Sequence, residues 1–317
     1  MKVITQGTYS NTVRRDNAEE CVSEAFLLTT DFEGFASLRY RADTFEITDA
    51  RWAVHRAPDP ERRGEGTAEL LIGESAYIDD RRFSIRILPD YTYCVDYQVP
   101  PGGWEGVPAH KQSLQAEPRE DVSPEWKQIR ELFLEALRGA YQAEEYLVTE
   151  RGMSSLIEYE QHWCALKPGY CRPYDPDNMP ALELWPIHTG NIQHYHTNNL
   201  YNKIINYILL DEEDAMRALG VYHDSAHEMN MEFRIDRDGT ILEYDTAAIR
   251  VPFAPCRELD HLNPPELKGK NIYHLTKREI GKILGGSAGC FHTVDILADI
   301  TAALAGLVPV QQPDARK

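Results

Sequence analysis

Four residues in the last third of the chain have the types and order of a metal's donors: His227, Cys256, Cys290 and His292. Thiolate and neutral imidazole are soft to borderline donors, and two of each suit Zn²⁺ or Fe, one ion per chain. Cys290 and His292 lie two apart, behind the run Gly-Gly-Ser-Ala-Gly (285–289). A helix starting there would favour a thiolate through its free amides and positive end. Asp224 and Glu228 flank His227 and are candidate general bases, since a base must reach a metal-bound water. A bland reading competes, in which the cysteines are small core residues and the acids are solvated. A metal-free Cys/His nucleophile pair at Cys290 is a further alternative. His194 and His196 could share one face of a strand and join the site. His162, Cys164 and Cys171 surround a Pro/Gly turn. His223 and His227, four apart, could share a helical turn. A Gly-rich phosphate loop and an HExxH motif are both absent from the sequence.

The elements that must position these groups can be read from the pattern. Residues 35–55 alternate as two strands with a turn near Ala42-Asp43. Residues 80–97 read as a second pair with its turn at Pro89-Asp90. Residues 56–66 form a charged loop, and 98–123 are Pro/Gly-rich and irregular. Ser123-Pro124-Glu125 opens a helix that runs on through Leu147. Residues 165–187 read as a linker or crossing loop, and 197–219 as a helix. MNMEFRIDRDGTILEYDTAAIRV is a hairpin about an Asp-Gly turn. A last helix covers roughly 290–306.

The second hairpin repeats the first. Glu33–Arg39 aligns with Glu228–Arg234, and Ile47–Asp49 with Leu242–Asp245. Glu69-Leu70, Gly73 and Tyr77 align with Glu266-Leu267, Gly269 and Tyr273. Gly139-Ala-Tyr-Gln aligns with Gly289-Cys-Phe-His. Where the second copy has His227, Cys256, Cys290 and His292, the first has Phe32, about Asp59, Ala140 and Gln142. Four independent core residues need not vanish as a set. Four ligands of one metal would, because a partial site binds poorly.

The run AHEMNMEFRIDRDGTILEYDTAAIRVPFAPC…LKGKNI…GGSAGCFHTVDILADITAAL resembles an uncharacterised bacterial domain family with a Gly-Gly-x-x-Gly-Cys-x-His pattern, over roughly 227–306. That resemblance suggests catabolism of aromatic or other small carbon compounds. The same order is more distantly similar to the NifU/IscU-type iron–sulfur scaffold. There His227 falls at the first Cys position, Cys256 at the second, and Cys290 with His292 at the His-Cys pair. This resemblance implies an α+β fold of small antiparallel sheets with helices on one face, and four residues that converge. The scaffold's Asp falls at Met229, and its proline-rich recognition segment is replaced by Gly-Gly-Ser-Ala-Gly.

The expected organisation is therefore two tandem NifU/IscU-like units. Residues 1–155 form a degenerate copy, 156–190 a linker or crossing loop, and 191–317 the metal-binding copy. The 317 residues suit two domains, and 42% apolar content excludes wholesale disorder. A net charge of −18 argues against nucleic acid and bare membrane as partners. Six cysteines are too few for a disulfide scaffold. The N-terminus has no apolar signal-type core, so a cytoplasmic location is expected. The expected activity is a metal-dependent lyase or hydrolase step on a small molecule, and the Tyr-rich segments are compatible with an aromatic one. A cluster-handling accessory protein and a non-metal binding protein are the alternatives, and a homodimer is the default assembly.

Overall fold

The computed structural model describes residues 2–57, 64–68, 75–78, 81–87, 93–96, 124–166, 168–178, 198–259 and 264–305. The fold is mixed α+β, with antiparallel strand pairings and a few helices. The chain forms two compact units whose segments interleave, where the sequence suggests consecutive blocks. One comprises Thr8–Leu166 and Pro186–Ile204. The other comprises Met1–Gly7, Lys167–Trp185 and Ile205–Lys317. No helix among the described residues is long and apolar enough to cross a membrane.

In the first unit, β1 (Lys2–Arg15) from Thr8 on, β2 (Glu20–Thr29), β3 (Glu33–Arg41), β4 (Ile47–Arg56) and β5 (Gly64–Ala68) follow one another in sheet order. The expected turn after β3 is present. A three-stranded sheet holds β6 (Ser75–Ile78), β7 (Arg81–Ile87) and β8 (Tyr93–Asp96), so the expected 80–97 pair forms. Helix α1 (Pro124–Gln142) starts at the expected proline and packs on β2 and β3. Phe32, Leu38, Tyr40, Leu132 and Phe133 fill the space between. Ser23 Oγ donates to the Ala136 carbonyl at 2.6 Å and Asn11 Nδ2 to the Glu135 carbonyl at 2.6 Å, which fixes the helix along the sheet. Helix α2 (Leu156–Leu166) carries His162 and Cys164.

In the second unit the sheet order is β12-β11-β10-β9, from β9 (Asn199–Asp211) beyond Ile204, β10 (Met216–Asp224), β11 (Glu228–Ile235) and β12 (Ile241–Arg250). Strands β9 and β10 replace the helix expected over 197–219. Inward residues there recur every second position (Tyr201, Lys203, Ile205, Tyr207, Leu209), which is the strand period. The β-branched and aromatic content agrees with that period. Strands β1 and β2 likewise lie outside the elements expected from the sequence. Helices α3 (Lys277–Leu284) and α4 (Phe291–Ala305) follow, and α4 lies on β10 and β11.

The two hairpins match in detail. β3–β4 is irregular between Glu33/Gly34 and Arg39/Tyr40, and β11–β12 between Glu228/Met229 and Arg234/Ile235. The loops before them match too. Thr29 Oγ1 accepts from Asp31 N and Phe32 N at 3.3 and 3.0 Å. Asp224 Oδ1 accepts from Ala226 N and His227 N at 2.7 and 2.6 Å. One aligned segment fails. Gly139–Gln142 ends α1, whereas Gly289–His292 opens α4. Glu69, Leu70, Gly73 and Asp59 of the proposed alignment lie outside the described residues.

Candidate functional site

Alternation along β10 sends Met216, Ala218, Gly220, Tyr222 and Asp224 to the face under α4. The chain then turns, and Asp224 N donates to the His227 carbonyl at 3.0 Å. This turn lets His227 return over the strand end. Arg250 fastens it from β12, donating to the carbonyls of Asp224, Ser225 and His227 at 2.8, 2.9 and 3.1 Å. His223 lies on the opposite, exposed face and pairs with Glu228 across the hairpin, so it shares no helical turn with His227.

Cys290 and His292 arrive from the other side. The run 285–289 closes the corner between α3 and α4, and Cys290 N donates to the Leu284 carbonyl at 2.6 Å. A Cβ at Gly289 would overlap that same carbonyl, so only glycine fits the close approach. The Cys290 carbonyl accepts from Val294 N at 3.3 Å, which makes Cys290 the residue capping α4. The sequence expectation of a thiol at a helix start thus corresponds to its place in the fold.

The groups meet. Ligand atoms of Asp224, His227 and His292 lie within 4.8 Å of one another. The His227 and His292 ring centroids are 3.9 Å apart, and the Tyr222 ring lies 4.5 Å from that of His292. His292 Nδ1 is 3.4 Å from Cys290 Sγ, which also touches Met229 Sδ at 3.8 Å. Tyr222 and Asp224 are each 2% exposed.

Asp224 is held ionised. Burial pushes its pKa up, but the His227 charge and hydrogen bond, then the His292 charge, outweigh it and leave the carboxyl far below the usual range. An ionised carboxylate only accepts, so His227 Nδ1 is the donor, 3.0 Å from Oδ1 and 3.2 Å from Oδ2. Tyr222 Oη donates to Oδ2 at 2.9 Å. With Ala226 N and His227 N also bound, four donors occupy the roughly four lone-pair positions of the carboxylate. Asp224 therefore orients His227 and leaves its Nε2 as the open acceptor.

For Cys290, burial again pushes the thiol up. The His292 charge and hydrogen bond, with the Thr293 and His292 amides, bring it below the ordinary value. Cys256, in the short turn Ala254–Leu259, differs. Burial and then the Cys290 charge push its thiol up to about 12. Neither Cys256 nor Cys290 is in the group of converging ligand atoms among the described residues, but Cys290 touches a member of it, His292. Glu228 is not in that group either, and it shares the sheet face of the exposed Asn230 and Glu232. His194 and His196 lie outside the described residues.

Tyr222 and Arg250 lie outside the sequence expectation for the site, whereas Asp224, a candidate base there, is found bound to His227. The signal for Tyr222 and Asp224 is the period-2 run from Met216, which the helical reading of 197–219 hid.

Residues 209–305 match the protein family described as "Protein of unknown function (DUF2889)". That segment contains Tyr222, Asp224, His227, Cys256, Cys290 and His292. No curated protein and no solved structure matches the chain.

Proposed function

We propose that the second unit is the metal centre of an enzyme acting on a small molecule, by a lyase or hydrolase step. The observation that carries this reading is the convergence of His227 and His292 on an ionised, fully hydrogen-bonded Asp224, with Cys290 beside His292. His227 through Nε2, His292 and Cys290 would hold Zn²⁺ or Fe. Zinc–nitrogen and zinc–sulfur bonds of about 2.1 and 2.3 Å put the two donor atoms of a tetrahedral site roughly 3.6 Å apart. The 3.4 Å between Cys290 Sγ and His292 Nδ1 is close to that. Three protein donors leave a position for substrate, as catalytic sites require. Cys256, expected as a fourth donor, then stays outside the shell. A bound divalent ion supplies Lewis acidity toward a substrate oxygen or water.

The chain's own groups do the rest. Asp224 keeps the proton on His227 Nδ1, Tyr222 holds Asp224 and backs the His292 ring, and Arg250 sets the 224–227 turn. The matching hairpins and turns support an internal duplication. Thr29 and Phe32 of the first copy stand where the second has Asp224 and His227, so only one copy is equipped.

Elemental analysis of anaerobically purified full-length protein tests the reading, beside Cys290→Ala/His292→Ala and His227→Ala. About one Zn or Fe per chain, lost in both variants, is expected. No stoichiometric metal in the parent protein, with the variants folded normally, would overturn it. Several irons per chain, readily lost, would favour the cluster-handling alternative instead.

A further inference from the structure

Cys171 belongs to no part of the site described above, yet the fold brings its neighbours against those of Cys290. Arg172 N donates to the Gly289 carbonyl at 3.0 Å. On the other side, the Tyr170 ring stacks on Phe291 with centroids 4.7 Å apart. The residues before and after Cys171 thus touch the residues after and before Cys290. Both backbones are extended here, with Cys171 at φ −149° and Gly289 at φ −140°. The backbone bond and the ring stack set Cys171 opposite Cys290, the arrangement from which a disulfide, whose Cα atoms lie about 4.4–6.8 Å apart, can close. The segment is clamped further by the Arg172–Glu258 ion pair and by the edge contact of Tyr174 on Phe253. Both thiols are free, Cys171 half-buried and Cys290 buried.

We propose that Cys171 and Cys290 are an oxidation site that closes to a reversible disulfide with a low-molecular-weight disulfide of the glutathione type as oxidant. One of the two thiols gives up its proton and its sulfur bonds to one sulfur of the oxidant, whose S–S bond breaks, and the other half leaves as a thiol carrying that proton. The sulfur of the second cysteine then attacks the first, and the second half leaves as a thiol with the second proton. Two protein thiols are oxidised and one small disulfide is reduced. The cross-link itself is independent of the metal reading. Its consequence rests on that reading: Cys290 is withdrawn from His292 and the centre loses a donor.

The test uses the full chain with oxidised glutathione, with and without a chelator, followed by alkylation and peptide mapping under non-reducing conditions. A linked Cys171–Cys290 peptide in either condition is expected. Accessible plus buried thiols, counted after unfolding, should fall by two from the six of the sequence. Cys256→Ser should still form the link and Cys171→Ser should not. An unchanged thiol count, or a link from Cys290 to Cys256 instead, would overturn the proposal even if the metal is present. A Cys171–Cys290 link in a protein that holds no metal would sustain it while the metal reading fails.

Discussion

Asp224 carries its charge at 2% exposure because four donors reach its two oxygens. The arrangement has a pH consequence. Its folded pKa lies below the ordinary 3.8, so its contribution to stability is complete above about that pH. The contribution is lost as pH falls through the lower folded value. Asp224→Asn should cost about 1.5–3 kcal/mol at neutral pH, the scale of hydrogen bonds to a charged group. It should also flatten the acid limb of the stability curve below about pH 4, measured by urea unfolding across pH. An acid limb as steep as that of the parent protein would show that another carboxylate sets it. At this scale the sequence was informative about identity and less so about role. The types and order of His227, Cys290 and His292 singled them out. That Asp224 orients and does not stand free as a base depends on a turn closed by backbone amides, which no spacing rule encodes.

The elements place those residues through one close contact. Gly220 on β10 faces Ile296 on α4, and a Cβ at Gly220 would overlap Ile296 Cγ2. The missing side chain lets α4 sit low enough for His292 to reach the end of β10, two residues on from Tyr222. Gly220→Ala should therefore destabilise by about 1–3 kcal/mol through overpacking. Ile296→Ala alone should cost about 2–5 kcal/mol through the cavity it leaves. The pair should cost clearly less than the sum, because the new methyl fills the space the isoleucine leaves. Chemical denaturation of the four proteins gives the coupling, and strict additivity would show that the helix is positioned elsewhere. The hairpins, α1 and α4 were legible because their periods and caps agree with their environment. The 197–219 stretch was not. Its short apolar runs fit either period locally, and only the pairing of β9 and β10 in the sheet decides between them.

At the scale of the whole molecule, two units share a hairpin-and-turn plan, and among the described residues the converging donor groups Asp224, His227 and His292 sit in one of them. The residues of that unit are discontinuous in sequence: Met1–Gly7, Lys167–Trp185 and Ile205–Lys317. Cys171 therefore reaches this unit from a segment that the sequence reads as a linker, far in the chain from the 227–292 run. The interleaving also makes a prediction about where a bound ion acts. An ion held at a free concentration a thousandfold above its Kd stabilises the state that binds it by about 4 kcal/mol. At the proposed centre that energy would enter through the 224–227 turn and the start of α4, which lies on β10 and β11. Hydrogen exchange on the full chain, before and after chelation, should show lost amide protection in β10, β11, α4 and the 168–178 segment. The amides of β2, β3 and α1, held by the separate cluster around Phe32, Leu38 and Phe133, should exchange as before. Equal loss in both units would mean that the metal supports a single cooperative structure, and the first copy would then be part of the centre's scaffold.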